Sequence, residues 1–261
     1  MKTLINWKVY FILLAAAILS SLALLPYSLE LQSGTSLQTG APVSLPEAMG
    51  QQIVVGGSIF AVMIFLGMIL MKRIGLSAPI LDAYTKGEPT AGALRRLLLV
   101  SIVLGVVVGL LIVGLDFIFR PFLVNELGDK ADLLKQGVQP AAWKGFLASF
   151  YGGIGEEIQL RLFLMSLLAW LGSFISRTPE GKPTSAIFWI ANILAAIIFG
   201  VQHLPGVALV LPLTALVVIR TVLLNVIGGI TFGWLYQTRG LESAMIAHFS
   251  TDIVLHVLFA L

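Results

Sequence analysis

The chain has 261 residues, 58% of them hydrophobic and 11% charged, where an ordinary soluble domain is roughly a quarter charged; a mean hydropathy of +0.98 excludes a water-soluble globule. The net charge of +3 arises from 16 Lys and Arg against 13 Asp and Glu, placed mostly at the ends of apolar runs, so it encodes membrane topology and points to no nucleic-acid partner. With no cysteine, disulfides, thiolate metal sites and a cysteine nucleophile are excluded.

Lys2 and Lys8 precede an apolar run that reads as a retained first span over 9–26, because no clear small-x-small cleavage site follows it. The loop from Pro26 to Gln52 carries no Lys or Arg. Spans follow over 53–71 and 97–115, and the loop between them holds Lys72, Arg73, Lys86, Arg95 and Arg96, which places it and the N-terminus on the cytoplasmic side. Residues 116–142, of mixed charge, are expected to lie on the outer surface. A fourth span covers 145–171, and the loop 172–183, with Arg177 and Lys182, is again cytoplasmic. The fifth, "TSAIFWIANILAAIIFGVQH", ends where Pro205 and Gly206 stop a helix.

The stretch 207–237 is longer than one untilted span requires. Pro212, Arg220, Asn225, Gly228 and Gly229 interrupt it, and a division at Arg220 gives helices over 207–219 and 221–237. A last span covers 243–261. The expected architecture is an all-α, polytopic membrane bundle of about eight segments with the active site inside the bundle. Within this one membrane domain, residues 1–140 carry no catalytic motif and 141–261 form the catalytic core. In this topology positions 40 and 240 face one side of the membrane, and 86 and 180 the other.

Charged and polar residues inside apolar spans are costly and mark function by default. Glu156, Glu157 and Arg161 lie in the fourth span, His203 ends the fifth, and His248, Asp252 and His256 lie in the last. Glu157 and Arg161 are i, i+4 neighbours able to pair, while Glu156 points about 100 degrees away, free to serve as a general base. Phe199 sits one turn before His203 and can pack on its ring. Asp252 is i+4 from His248 and could fix its tautomer. His256 falls on the same stripe and reads as structural, since Asp252 serves only one imidazole well. A structural ion-pair cluster is the bland reading of the glutamates. Gly152, Gly153 and Gly155 would admit a close neighbour, whether a helix or a substrate.

The ordered set Glu156-Glu157-x-x-x-Arg161, Phe199-x-x-x-His203 and His248-x-x-x-Asp252 resembles the CAAX prenyl protease and bacteriocin-processing family, also called CPBP or Abi. The resemblance covers about 141–261 and includes "TRGLESAMIAH"; the family often has Asn where this chain has Asp252. It implies hydrolysis of a peptide bond within the membrane. Glu156 would activate a water, His203 and His248 would stabilise the oxyanion, Glu157 and Arg161 would hold the base, and Asp252 would hold His248. Catalysis without a cofactor is preferred. A zinc version on Glu156, His203 and His248 stays open, although no H-E-x-x-H is present.

The implied partners are the lipid bilayer and a membrane-associated peptide or protein substrate, and the short, loop-poor chain suggests a multi-pass protein of a bacterial cytoplasmic membrane. Two other functions remain: an immunity or binding protein on the same scaffold, and a transporter or proton channel. Polar residues converge on a few spans instead of spreading through many, which favours a single reaction site.

Overall fold

A computed structural model describes residues 5–33, 44–136 and 140–259. The described chain is helical, with no strand beyond an isolated bridge between Arg177 and Pro183. In order the helices are α1 (Trp7–Ser33), α2 (Leu45–Gln51), α3 (Gly57–Arg73), α4 (Pro79–Thr85), α5 (Thr90–Leu127), α6 (Leu133–Gln136), α7 (Ala142–Phe150), α8 (Ser166–Gly172), α9 (Ser185–Gln202), α10 (Leu204–Ala208), α11 (Ala215–Arg239) and α12 (Leu241–Asp252). A π-helical turn, Gln52–Gly56, joins α2 to α3, and another, Ile253–Leu258, continues α12. Residues 142–172 form one unbroken helix, with π-helical turns over Tyr151–Glu156 and Ile158–Met165 linking α7 to α8. We call it the site helix.

Helices satisfy every backbone N–H and C=O internally, which lipid demands. Among the described residues five are long and apolar enough to cross a membrane: Trp7–Gln32, Leu45–Arg73, Thr90–Lys130, Ser185–Ala208 and Ala215–Arg239. The site helix and the helix 241–258 carry the charged and histidine residues. The protein is an integral, multi-pass membrane protein.

Several boundaries differ from those read in the sequence. Helix α1 runs through Pro26 to Ser33, and α5 continues through Pro121 to Leu127, replacing part of the expected surface segment. Helix α11 passes unbroken through Arg220, so the two helices expected over 207–219 and 221–237 are one, and the division that gave eight segments does not hold. The break falls earlier, at 209–214. There Thr214 caps α11, its side chain accepting from Val217 N at 3.3 Å. Arg220 stays helical because Asp116 of α5 receives its guanidinium. Asn225 stays helical because its amide donates to Thr221 O at 2.8 Å.

Helices α11 and α12 meet at Gly240, whose φ of 99° lies where L side chains rarely go, so the chain reverses within one residue. A Cβ there would also overlap Pro79 Cδ. Leu241 N donates to Ser77 O at 3.1 Å, and the Glu242 carboxylate accepts from Ile80 N and Leu81 N at 3.0 and 2.9 Å. Arg73 lies over the Trp170 ring, and Gly75 abuts Lys182. The segments 72–96, 173–184 and 239–242 therefore share one end of the bundle. Position 240 falls with 86 and 180, opposite to the expected topology; position 40 lies outside the described residues.

Candidate active site

The site is assembled on three elements: the middle of the site helix, the C-terminal half of α9, and α12. Helix α12 can approach the site helix because small residues face it. A Cβ on Gly152 would overlap Asp252 Oδ2 and come within 3.2 Å of His248 Nε2, and one on Gly153 would lie 2.9 Å from Met245 O. On its other side α12 lies against α5, where Thr251 Oγ1 donates to Gly105 O at 2.8 Å. Gly152 and Gly153 thus admit a helix, whereas a Cβ on Gly155 would meet only the Tyr151 ring of the same helix.

Glu157 and Arg161 pair as their spacing predicts, Oε1 to Nη1 at 3.1 Å, and both are buried, 0% and 1% exposed. Arg161 Nη2 donates to Gly229 O of α11 at 2.7 Å. Its guanidinium lies between the Phe199 and Phe232 rings, at 5.3 and 5.5 Å from their centroids. Both contacts suit a planar cation in an apolar setting.

The same Glu157 oxygen lies 2.8 Å from His248 Nδ1. Glu157, not Asp252, therefore orients that imidazole. The Phe232 ring stacks on it at 4.5 Å and 21°, and Phe199 meets it edge-on at 5.4 Å. His248 Nε2 faces Glu156 Oε2 and Asp252 Oδ1, each at 3.6 Å, too long for a hydrogen bond. Glu156 keeps 15% of its side chain exposed, in contrast to its buried neighbour.

His203 stands at the C-terminal cap of α9, its Nδ1 2.7 Å from Phe199 O. Its ring packs edge-on against Phe199 at 4.7 Å. The two histidines thus touch one phenyl ring, although α11 crosses between their helices as a single rod. His256 packs against Tyr27 at 5.6 Å, one turn past Asp252. Two contributors escaped the sequence reading, Phe232 and Gly229 of α11. Neither carries a polar side chain to mark it as part of a site.

Among the described residues no three His, Asp or Glu side chains form a group able to hold a metal ion. Nδ1 of each histidine is engaged, His248 with Glu157 and His203 with a backbone carbonyl, so the free ring nitrogen of each is Nε2.

The fold and the site together define a helical membrane protein with a buried carboxylate–arginine–imidazole centre. Residues 138–254 match the family model described as Type II CAAX prenyl endopeptidase Rce1-like. This portion of the chain, which holds the whole site, is thus similar to the CAAX protease family. No curated protein and no solved structure matches the chain.

Proposed function

We propose that the protein is an intramembrane endopeptidase in which Glu156 activates water, and that a membrane-associated peptide or protein is its substrate. The observation that carries this reading is the contrast between the two adjacent carboxylates. Glu157 is spent on Arg161 and His248, whereas Glu156 is partly exposed and unpaired by any cation other than His248.

Glu156 takes a proton from a water, the oxygen attacks the scissile carbonyl carbon, and the proton then passes to the departing amine nitrogen. With Nδ1–H of His248 directed at Glu157, its Nε2 can donate to the oxyanion only in the imidazolium form. The same holds for His203, whose Nδ1–H is directed at the Phe199 carbonyl. An imidazolium at His248 suits a centre in which Glu157 lies 2.8 Å, and Glu156 and Asp252 each 3.6 Å, from its ring nitrogens. Asp252 in this scheme flanks His248 Nε2 opposite Glu156. Glu157 and Arg161 position His248. No metal enters the scheme; zinc at one equivalent in active protein, lost with activity on chelation and restored with it, would refute that part.

The test compares the membrane proteome of cells carrying wild type and Glu156→Gln. One precursor should accumulate in the variant and disappear when the wild type is restored. An unchanged proteome together with an intact cellular phenotype would favour a binding or immunity protein instead.

A further inference from the structure

The site helix carries two polar side chains that the chemistry above does not use, Tyr151 and Gln159. Between positions 151 and 162 only these two, Ile154 and Glu156 escape burial. An amide within an apolar segment is costly and marks function by default. Gln159 Nε2 donates to Tyr151 Oη at 3.1 Å, across eight residues. Helical side chains lean toward the N-terminus, and Gln159 does so. Tyr151 leans the other way, over Gly155: a Cβ there would lie 2.8 Å from Cδ2 and Cε2 of the ring. Gly155 thus clears the path by which the phenol reaches Gln159. Glu156 follows Gly155 directly, and its charge acts on the Tyr151 hydroxyl. The pair therefore brackets the proposed base on the accessible part of the same helix.

Tyr151 and Gln159 do not exhaust each other. The phenol oxygen accepts from Gln159, so its own proton is left to donate, and Gln159 Oε1 is left to accept. Neither group makes a further hydrogen bond among the described residues. One spare donor beside one spare acceptor complements a peptide backbone, in which every residue other than proline presents one C=O and one N–H. In an extended chain the two groups of a residue point to the same side, so a single residue can meet both.

We propose that Tyr151 and Gln159 are substrate-positioning residues: the Tyr151 hydroxyl donates to a carbonyl of an extended peptide and Gln159 Oε1 accepts from an N–H, which lays the backbone along the site helix beside Glu156. The cleavage that follows rests on the proteolytic reading; the binding does not. Because the contacts are made to backbone, they select for an extended chain and against proline at the contacted residue, not for a particular side chain.

Binding is read on Glu156→Gln protein in nanodiscs, so it does not depend on cleavage. The probes are a prenylated tetrapeptide and its analogues in which one backbone N–H at a time is replaced by an ester oxygen. One ester should bind about fivefold more weakly than the amide, the worth of one neutral hydrogen bond. Gln159→Leu should weaken the amide by the same factor and leave that ester's affinity unchanged, the coupling that a double-mutant cycle isolates. Tyr151→Phe keeps the ring over Gly155, and should also weaken the amide about fivefold with the thermal midpoint unmoved. A pair that only ties two turns of the helix together predicts a lowered midpoint and equal losses for amide and ester. Equal losses in Gln159→Leu, an affinity that Tyr151→Phe leaves unchanged, or no binding of the amide probe overturns the proposal; if Gln159→Leu does not fold, Tyr151→Phe alone decides. Wild-type protein that binds the amide with this preference and never cuts it would undo the proteolytic reading and leave the backbone subsite standing.

Discussion

Two neighbouring glutamates carry opposite duties because of their immediate partners. Glu157 meets Arg161 and His248 with one oxygen, while Glu156 makes only the 3.6 Å approach to His248 Nε2. Glu156→Gln should therefore leave the fold intact and lower turnover by about two to four orders of magnitude, the worth of a positioned base. Glu157→Gln should lose turnover and stability together, since it strands a buried guanidinium at a cost of about 3 to 5 kcal/mol. Thermal unfolding in detergent beside an activity assay separates the two, and equal, mild effects would sink the assignment. Asp252→Asn should stay within about tenfold of wild type, because Glu157 and not Asp252 holds the His248 tautomer. The i, i+4 spacings made the Glu157–Arg161 pair legible from the sequence. The same spacing suggested Asp252 as the partner of His248, and it lost to a carboxylate on another helix that spacing could not bring near.

At the scale of elements, the site depends on how closely α12 lies against the site helix and on what α11 offers both. Gly152→Ala would drive a methyl group into Asp252 Oδ2 and toward His248 Nε2. Activity should fall at least as far as in Asp252→Asn, with α12 displaced. If Gly152→Ala keeps wild-type kcat/KM, the packing described between these helices is wrong. Phe232 stacks on His248 and covers Arg161. Phe232→Leu keeps most of the apolar volume but loses the aromatic face, so turnover should drop while the thermal midpoint moves by only a few degrees. Long apolar runs made most helices visible in the sequence. Arg220 misled because a charge inside a span reads as a break until its partner, Asp116, is known, and that partner lies on a helix more than a hundred residues away in the chain.

The whole molecule is oriented by its charge. The end that gathers 72–96, 173–184 and 239–242 holds Lys72, Arg73, Lys86, Arg95, Arg96, Arg177, Lys182 and Arg239, and the rule that cytoplasmic loops collect Lys and Arg assigns it to the cytoplasm. For His203 and His248 to enter the bundle from one face, the chain would need to cross back at Arg220, where the sequence suggests a division. The structure removes the need: α12 starts at the basic end, directly after Gly240, and His248 lies seven residues along it, a rise of about 10 Å that already brings it level with Phe199. Because the chain contains no cysteine, single Cys substitutions report sidedness without background. Gly240 is a poor probe, being buried with positive φ against Pro79, and exposed Thr238 replaces it. An impermeant thiol reagent should label Lys86→Cys, Glu180→Cys and Thr238→Cys from the cytoplasmic side only, and Asp129→Cys and Gly206→Cys from the other side only. Labelling of position 238 together with 129 and 206 would restore a break within 215–239, and would remove the single helix that supplies Gly229 and Phe232 to the site.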